Sequence, residues 1–467
     1  MPDRLESDYM ARRAGREIGS GYVVALGPGI PSLILDLVPG DVAAAWVLSH
    51  TGILIRGSGD AGTDLASETH QAAGSKGGSS LSFTDTTAMV HGGHVDTAVI
   101  ETGWVTFGGD FGTGITAGFS TPGPVVELAA CAKRVIAIMR HTRPDGSSAI
   151  IESSQAPPDG LGCISLLITD VAVLAIGGGQ VTVQELAPGW TFGQVAAMTG
   201  VPLQTAPGIK EMSFDQPQPP TKPQPRQKVY SSGLEAVRDL PDGAVVNIDG
   251  FAGPGGMPHY LMASLRDHGA KELTLISNTA GITRVVNFGT PPGKQAIDHS
   301  ILVDNHQVKK AISSYPVSPS PNTPTSFELA LQRGEVELEV VPQGTLAERI
   351  RAGGAGVAAF YTPTGVETLL AEGKETRIID GKEYVLEMAL KADYCLIRGH
   401  KADTLGNVVY KGTSRNFNPI MATSAKITIV EVDEIVDTGV LGPEEIVTPG
   451  VYVDRIVLRP ADFSPYD

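Results

Sequence analysis

Cysteine is scarce. The 467 residues hold three, Cys131, Cys163 and Cys395, an odd number, widely spaced and with no CxxC pair. That excludes a disulfide framework and fits a reducing compartment. Basic residues are also short, 35 against 51 acidic, for a net charge of −16. So negative a chain lacks the footprint that phosphate backbones need, and nucleic acid is not expected as the main partner. Long apolar runs are missing. The longest, residues 163–176, is cut by Thr169 and Asp170 and is too short to span a bilayer, so no membrane partner is expected. The opening MPDRLESDYMARRAGREIGSG is charged throughout and lacks the apolar core of a secretory signal. The expectation is a soluble cytoplasmic protein. Metal-binding patterns are absent too: no HExxH, no paired cysteines, no Asp-rich calcium loop, so no metal site is expected.

What is present is material for a core. Hydrophobic residues make up 42% and charged residues 18%, far from the composition of disorder. Gly (56) and Pro (33) together form about 19% of the chain, which implies many tight turns but stays below low-complexity levels. The length is about three times a ~150-residue domain, so two or more domains are expected. Residues 213–228, SFDQPQPPTKPQPRQK, hold five prolines and almost no apolar side chains. This composition favours polyproline II, and twelve such residues span roughly 40 Å. The expected division is 1–212, a Pro-rich linker at 213–228, and 229–467.

Each half reads as α/β. Short β-rich runs (22–26, 135–139, 245–248, 427–430) alternate with helical stretches such as 125–132, a pattern of largely parallel sheets. The halves also echo each other. GSGYVVALGPGIPSLI in the first matches PDGAVVNIDGFAGPGGMPHYL in the second: turn, strand, Gly-rich loop ending in Pro, helix. Later, PVVELAACAKRVIAIM matches PIMATSAKITIVEV. Two echoes in the same order predict duplicated α/β domains, with the cleft between them the natural place for a site.

The second half resembles the α-type half of family I CoA-transferases, the succinyl-CoA:3-oxoacid type. The matching stretches include GGMP (255–258), SNTAG (277–281), KKAISSY (309–315), PQGTLAERIRAGGAGVAAFYTPTGVETLLAEGKE (342–375), YVLEMALKADYCLIRGHKADTLGNVVY, RNFNPIMATSAKITIVEV and TPGVYVDRIV (448–457). The first half resembles the family's β-type half more loosely, through LGPGIPSLI (26–34), LSHTGILIRG (48–57), HGGHVD (91–96), GD (109–110), HTRPDG (141–146) and LLITDVAV (166–173). The order is β-type then α-type, whereas the better-known fused members run the other way. The resemblance implies two related α/β domains with mainly parallel sheets and an acyl-CoA site at their interface. It also implies a homodimer or higher homo-oligomer, and a CoA or pantetheine thioester as substrate with no permanently bound cofactor. A carrier-protein arm would present the same pantetheine.

In the family, the β-type half carries a nucleophilic glutamate in a Ser-Glu-Asn-Gly motif. Here the stretch reads Ser49-His50-Thr51-Gly52. An acyl-imidazole is labile to water and cannot become a stable glutamyl thioester. A histidine suits general-base work instead, because its reference pKa is about 6.5. His50 is therefore the first catalytic candidate, and the plainer reading is an inert residue in a dead site. Glu101, on the apolar run AVIETGWV, is the second. A carboxylate there is expensive unless used or paired, so it is either a relocated acid, base or nucleophile, or a salt-bridged strand-end residue. His94 matches a family histidine and reads as structural, while His91 has a possible place facing the pocket. His259 and His400 read as ordinary core or surface residues.

Gly250, Phe251, Gly253, Gly255 and Gly256 lie between a strand and a helix. Free backbone N–H groups at such a turn hold an anion or oxyanion, and by resemblance they contact CoA. Ser277 and Asn278 border the same site by resemblance. So do Gln343, Gly344 and Thr345, read as lying before a helix, and Gly353 and Gly354, read as part of a flexible loop at 353–356. Each glycine has the alternative of turn geometry alone. Lys309, Lys310, Arg349, Arg351 and Arg415 are candidates for the CoA phosphates that sequence does not rank. Three functions follow: hydrolysis, decarboxylation or C–C cleavage of a 3-oxoacyl thioester; CoA transfer through Glu101; or acyl-CoA binding without catalysis.

Overall fold

The computed structural model describes residues 2–19, 21–34, 45–49, 52–56, 77–113, 123–154, 156–214, 228–251, 255–286, 290–320 and 322–466. Two compact units emerge, residues 1–226 and 227–467. Most of the Pro-rich segment, residues 215–227, lies outside the described residues.

The first unit is built on a ten-stranded sheet. Its strands are β1 (Val23–Leu26), β2 (Trp46–Ser49), β3 (Ile53–Arg56), β4 (Ser79–Ser80), β5 (Thr97–Glu101), β6 (Arg134–Met139), β7 (Ile164–Thr169), β8 (Ala172–Gly177), β9 (Gln180–Leu186) and β10 (Leu203–Glu211). Their order across the sheet is β10-β9-β8-β7-β6-β5-β1-β2-β3-β4. The centre, β7-β6-β5-β1-β2, is parallel throughout. Val24, Ala25, Ala98, Val99, Ile100, Ile136, Ala137 and Ile138 are all buried there, as expected of parallel strands covered on both faces. The apolar run 163–176 becomes the antiparallel pair β7–β8. The residues that interrupt the run form the turn: Thr169 Oγ1 accepts the Ala172 N–H at 3.0 Å.

The second unit has an eight-stranded sheet. It comprises β11 (Val229–Tyr230), β12 (Val245–Ile248), β13 (Leu273–Thr279), β14 (Val308–Tyr315), β15 (Glu337–Val340), β16 (Ala392–Arg398), β17 (Ala425–Val432) and β18 (Arg455–Leu458). The order is β11-β18-β17-β16-β12-β13-β14-β15, parallel at every step. Successive strand residues face opposite sides, so Leu396, Ile429 and Leu275 join one core and Cys395, Ile397, Val430 and Ile276 the other. Helix α1 (His259–His268) covers the first face through Leu261, Met262 and Leu265. Helices α2 (Gln343–Gly354) and α3 (Phe417–Thr423) cover the second through Leu346, Ile350, Met421 and Ala422.

The two units share a topology. In chain order, β1-β2-β5-β6-β7 takes the same sheet positions as β12-β13-β16-β17-β18, with two further strands inserted after the second in each case. The first sequence echo falls on β1 and β12. The second falls on β6 and β17, each preceded by a helix, Gly123–Cys131 in one case and α3 in the other.

Candidate functional site

In a doubly wound parallel sheet, ligands gather beyond the carboxyl ends of the strands where the winding direction reverses. In the second unit that point lies between β12 and β16. The chain leaving β12 there is Asp249-Gly250-Phe251. Gly250 is buried, and a Cβ on it would come 2.6 Å from Thr279 Oγ1, 2.7 Å from Ser277 Oγ and 2.9 Å from His299 Cε1. The turn thus lies directly on a small polar cluster. Ser277 Oγ and His299 Nε2 are 2.9 Å apart, and the Ile248 carbonyl is 3.3 Å from the same nitrogen. His299 is fully buried, and burial holds its pKa down. Its Nδ1 and the Thr279 hydroxyl have no hydrogen-bond partner among the described residues.

At the other end of the stretch, a Cβ on Gly255 would meet Thr413 Oγ1 at 2.5 Å. Gly256 is clasped: the Asn418 amide donates to its carbonyl at 3.0 Å and to Asp249 Oδ2 at 2.7 Å. Asp249 is completely buried, and burial pushes its pKa up to about 8. The Phe251 ring, half-buried, packs on Phe417 with centroids 5.8 Å apart. Gly253 lies outside the described residues.

Asn278, one residue past Ser277 on β13, accepts a hydrogen bond from Gln343 Nε2 at 2.9 Å. Gln343, Gly344 and Thr345 do not precede a helix but form its first turn, since α2 begins at Gln343. Gly353 and Gly354 likewise are not a flexible loop. They end α2, buried, where a Cβ would fall 1.9 Å from the Leu390 carbonyl or 2.0 Å from Thr423 Oγ1. Their glycine is required for close packing, and they lie apart from the cluster under Gly250 in every contact described.

In the first unit the winding reverses between β1 and β5. Gly27-Pro28-Gly29 leaves β1, and Glu101 is the last residue of β5. The half-buried Glu101 carboxylate accepts the Ile30 N–H at 2.8 Å through Oε2. Gly29 has φ of +80°, and a Cβ there would sit 2.0 Å from Oε2. The loop is therefore shaped around the carboxylate. No ion pair holds Glu101 among the described residues, so the salt-bridge reading does not apply to what is described. His50 lies outside the described residues. Ser49, which precedes it, pairs with Leu26 at the carboxyl end of β2.

Other expectations sort clearly. His91 is exposed at the end of the helix Phe83–His91. His259 is buried with Nδ1 at 2.6 Å from the Ile297 carbonyl, and His400 lies 3.2 Å from Asp433. Four of the five basic candidates are engaged: Lys309 with Glu272, Lys310 and Arg349 with Glu339, and Arg351 with Glu348. Arg415 is exposed and has no ion pair among the described residues, and the same holds for Lys411. Both belong to the turn that carries Thr413 against Gly255. Asp249, Asn418 and His299 were not singled out in sequence. A carboxylate placed directly between a strand and a Gly-rich turn was the one signal that could have found Asp249. Among the described residues no group of three or more His, Cys, Asp or Glu could hold a metal ion, and no helix is long and apolar enough to cross a membrane.

Similarity to known proteins falls on this second unit. The family model described as coenzyme A transferase matches residues 231–459. The α-type polypeptide of a 3-oxoadipate CoA-transferase from Pseudomonas putida is 46% identical over 230 residues, which is 49% of this chain and 93% of that protein. The corresponding polypeptide of a probable succinyl-CoA:3-ketoacid coenzyme A transferase from Bacillus subtilis is 46% identical over 50% of this chain and 90% of that protein. Among solved structures, an acyl-CoA transferase (YdiF) from E. coli O157:H7 in a thioester complex with CoA aligns at 22% identity. Its TM-score is 0.43, over 52% of this chain and 48% of that one. Identity of 46% across 93% of a known CoA-transferase polypeptide makes the chain, through residues 231–459, a member of the coenzyme A transferase family.

Proposed function

We propose that this enzyme acts on a 3-oxoacyl thioester of CoA by chemistry other than ordinary CoA transfer, with His50 and Glu101 as its acid–base pair. The observation that carries the reading is Glu101. It is a half-buried carboxylate at the reversal point of the first sheet, oriented by the Ile30 N–H at 2.8 Å and free of any competing ion pair among the described residues. We assign the base to position 50, which lies outside the described residues. A base there takes a proton from water, whose oxygen bonds to the thioester carbonyl carbon. The C–S bond then breaks, and the thiolate recovers a proton from the conjugate acid. The same base drawing a proton from a hydrated 3-oxo group would instead break the C2–C3 bond: C3 leaves as a carboxylic acid, and C2, holding the electron pair as the thioester enolate, takes the proton back from the conjugate acid.

In the second unit, the backbone at Gly250, Phe251, Gly255 and Gly256, with Ser277, Asn278, Gln343 and Gly344 beside it, is the proposed pantetheine cradle. Arg415 and Lys411, exposed and without an ion pair among the described residues, are the cations proposed for the CoA phosphates. Gly353 and Gly354 support the cradle's helix from its far end. The supporting experiment is acceptor-free turnover of acetoacetyl-CoA: free CoA should appear without any added acid, and His50→Ala should abolish it. A His50→Ala protein with undiminished turnover ends the reading.

The setting of Glu101 favours a second reading, CoA transfer with Glu101 as nucleophile. Its Oε1 makes no hydrogen bond among the described residues and is the oxygen that would attack. Strict dependence on an acceptor acid, ping-pong kinetics and a borohydride-trappable enzyme thioester would establish it. CoA binding with neither activity would leave a binding protein.

A further inference from the structure

Asp249 follows β12 directly and is 0% exposed. Its oxygens reach both described ends of the glycine-rich stretch. Oδ1 accepts the Phe251 N–H at 2.8 Å. Oδ2 accepts from Asn418 Nδ2 at 2.7 Å, and that amide also donates to the carbonyls of Gly256 at 3.0 Å and Ser414 at 2.9 Å. The orientation of Asn418 is set by the Arg398 N–H, which donates to its Oδ1 at 2.9 Å. Flipping the amide would face donor to donor at Arg398 and leave three acceptors without a proton. The ends are closed on each other: a Cβ on Gly256 would lie 2.7 Å from the Phe251 carbonyl and 3.1 Å from Asp249 Oδ2.

We propose that Asp249 is a positioning residue, whose carboxylate form clamps Phe251 and Gly256 in place through Asn418, so that thioester binding at this turn is coupled to a single proton. The inference rests on the acyl-CoA reading above. A carboxylate only accepts hydrogen bonds, which matches the donors aimed at it, the Asn418 amide and the backbone N–H groups of Gly250 and Phe251. A proton on Oδ2 would meet the Asn418 amide donor to donor and release Gly256. Among the described residues nothing cationic compensates. The titratable groups facing Asp249 are the Cys395 thiol on β16 and the Tyr410 phenol, both pushed up by burial and neutral near pH 8. Arg398 offers its backbone to Asn418, while its guanidinium donates to Asp433 at 2.5 Å. Burial lifts the Asp249 pKa to about 8, so the clamp opens as pH falls below that point and closes above it.

The test uses the full chain and a non-hydrolysable thioether, S-ethyl-CoA, titrated calorimetrically from pH 6.5 to 9. CoA phosphates have a second pKa of about 6, so they titrate only at the low end of this range and alike with either protein, and the difference between the two proteins is the reading. Wild-type affinity should rise with pH, by up to tenfold per unit below the midpoint, and then level off. Asp249→Asn, neutral throughout, should bind at the wild type's low-pH affinity with no pH dependence. A flat wild-type profile, or an unchanged slope in Asp249→Asn, overturns the proposal. Hydrogen exchange at the Phe251, Gly255 and Gly256 amides provides the second readout, and for the wild type it needs no variant. Protection beyond the intrinsic rate should grow through pH 8 in wild type and not in Asp249→Asn; pH-independent protection overturns the clamp. Should the thioether bind neither protein at any pH, the acyl-CoA reading fails, and the exchange data alone decide whether the clamp exists.

Discussion

A methyl group at position 250 has nowhere to go. Gly250→Ala would push its Cβ to within 3 Å of two hydroxyls and a histidine ring, none of them the end of a long flexible chain. We expect a loss of about 1–3 kcal/mol, read as a lower urea midpoint, together with weakened CoA binding. Glu101→Gln keeps the shape of the loop around Ile30 but removes the charge. It should lower turnover by about 10²–10⁴-fold while leaving the affinity for S-ethyl-CoA within about twofold; retained turnover would assign the chemistry elsewhere. Glu101 was legible in sequence because a carboxylate on an apolar run is conspicuous. Its partner was not, because Ile30 lies 71 residues away and nothing local marks its N–H. His299 left no signal either, since one histidine among ten becomes notable only when folding seals it beside Ser277.

Helix α2 shows how an element can be misread at both ends. PQGTLAERIRAGGAG carries glycines near each end, and glycine ordinarily signals a turn. Yet the helix spans Gln343–Gly354. The C-terminal pair is set by packing against Leu390 and Thr423, residues distant in sequence. This reverses an ordinary expectation. Gly→Ala inside a helix usually stabilises by about 1 kcal/mol. Here Gly353→Ala and Gly354→Ala should each destabilise by about 1–3 kcal/mol, because the added methyl would strike a carbonyl or a hydroxyl within 2.0 Å. Chemical denaturation of either variant decides the sign.

At the scale of the molecule, the two units share a winding order, and each buries groups whose titration works against stability. In the first, His141 is buried between the hydroxyls of Thr169 (3.1 Å) and Thr199 (2.9 Å), and burial pushes its pKa down to about 4. Its neutral form is the native one. The unfolded chain, titrating near 6.5, binds the proton first, so this stability is intact above pH 6.5 and lost as pH falls towards 4. The second unit holds a group of opposite sign: burial pushes Glu431 up to about 7, and its contribution declines as pH rises from the ordinary carboxyl range through 7. All three tryptophans, Trp46, Trp104 and Trp190, belong to the first unit. Tryptophan fluorescence should therefore report an unfolding midpoint for that unit that is lower at pH 5 than at pH 7. His141→Gln should narrow the difference; an equal gap in the variant would assign the acid response to other groups.

The sequence by itself determined the class of this protein: alternating strands and helices, a repeat marked by two echoes, an apolar supply sufficient for both cores, and a second half whose motifs carry the family. Those properties are local or periodic, and hydrophobic period and turn chemistry write them along the chain. Only the tertiary structure decided which residues meet. It set Glu101 against Ile30, sealed His299 under Gly250 and joined Asp249 to Asn418 across 169 positions. Among the described residues it also left Arg415 without an acidic partner, while the other basic candidates found theirs. Hydrogen bonds, desolvation and close packing act over a few ångströms of space. Their partners are chosen by strand order, which no short stretch of sequence contains.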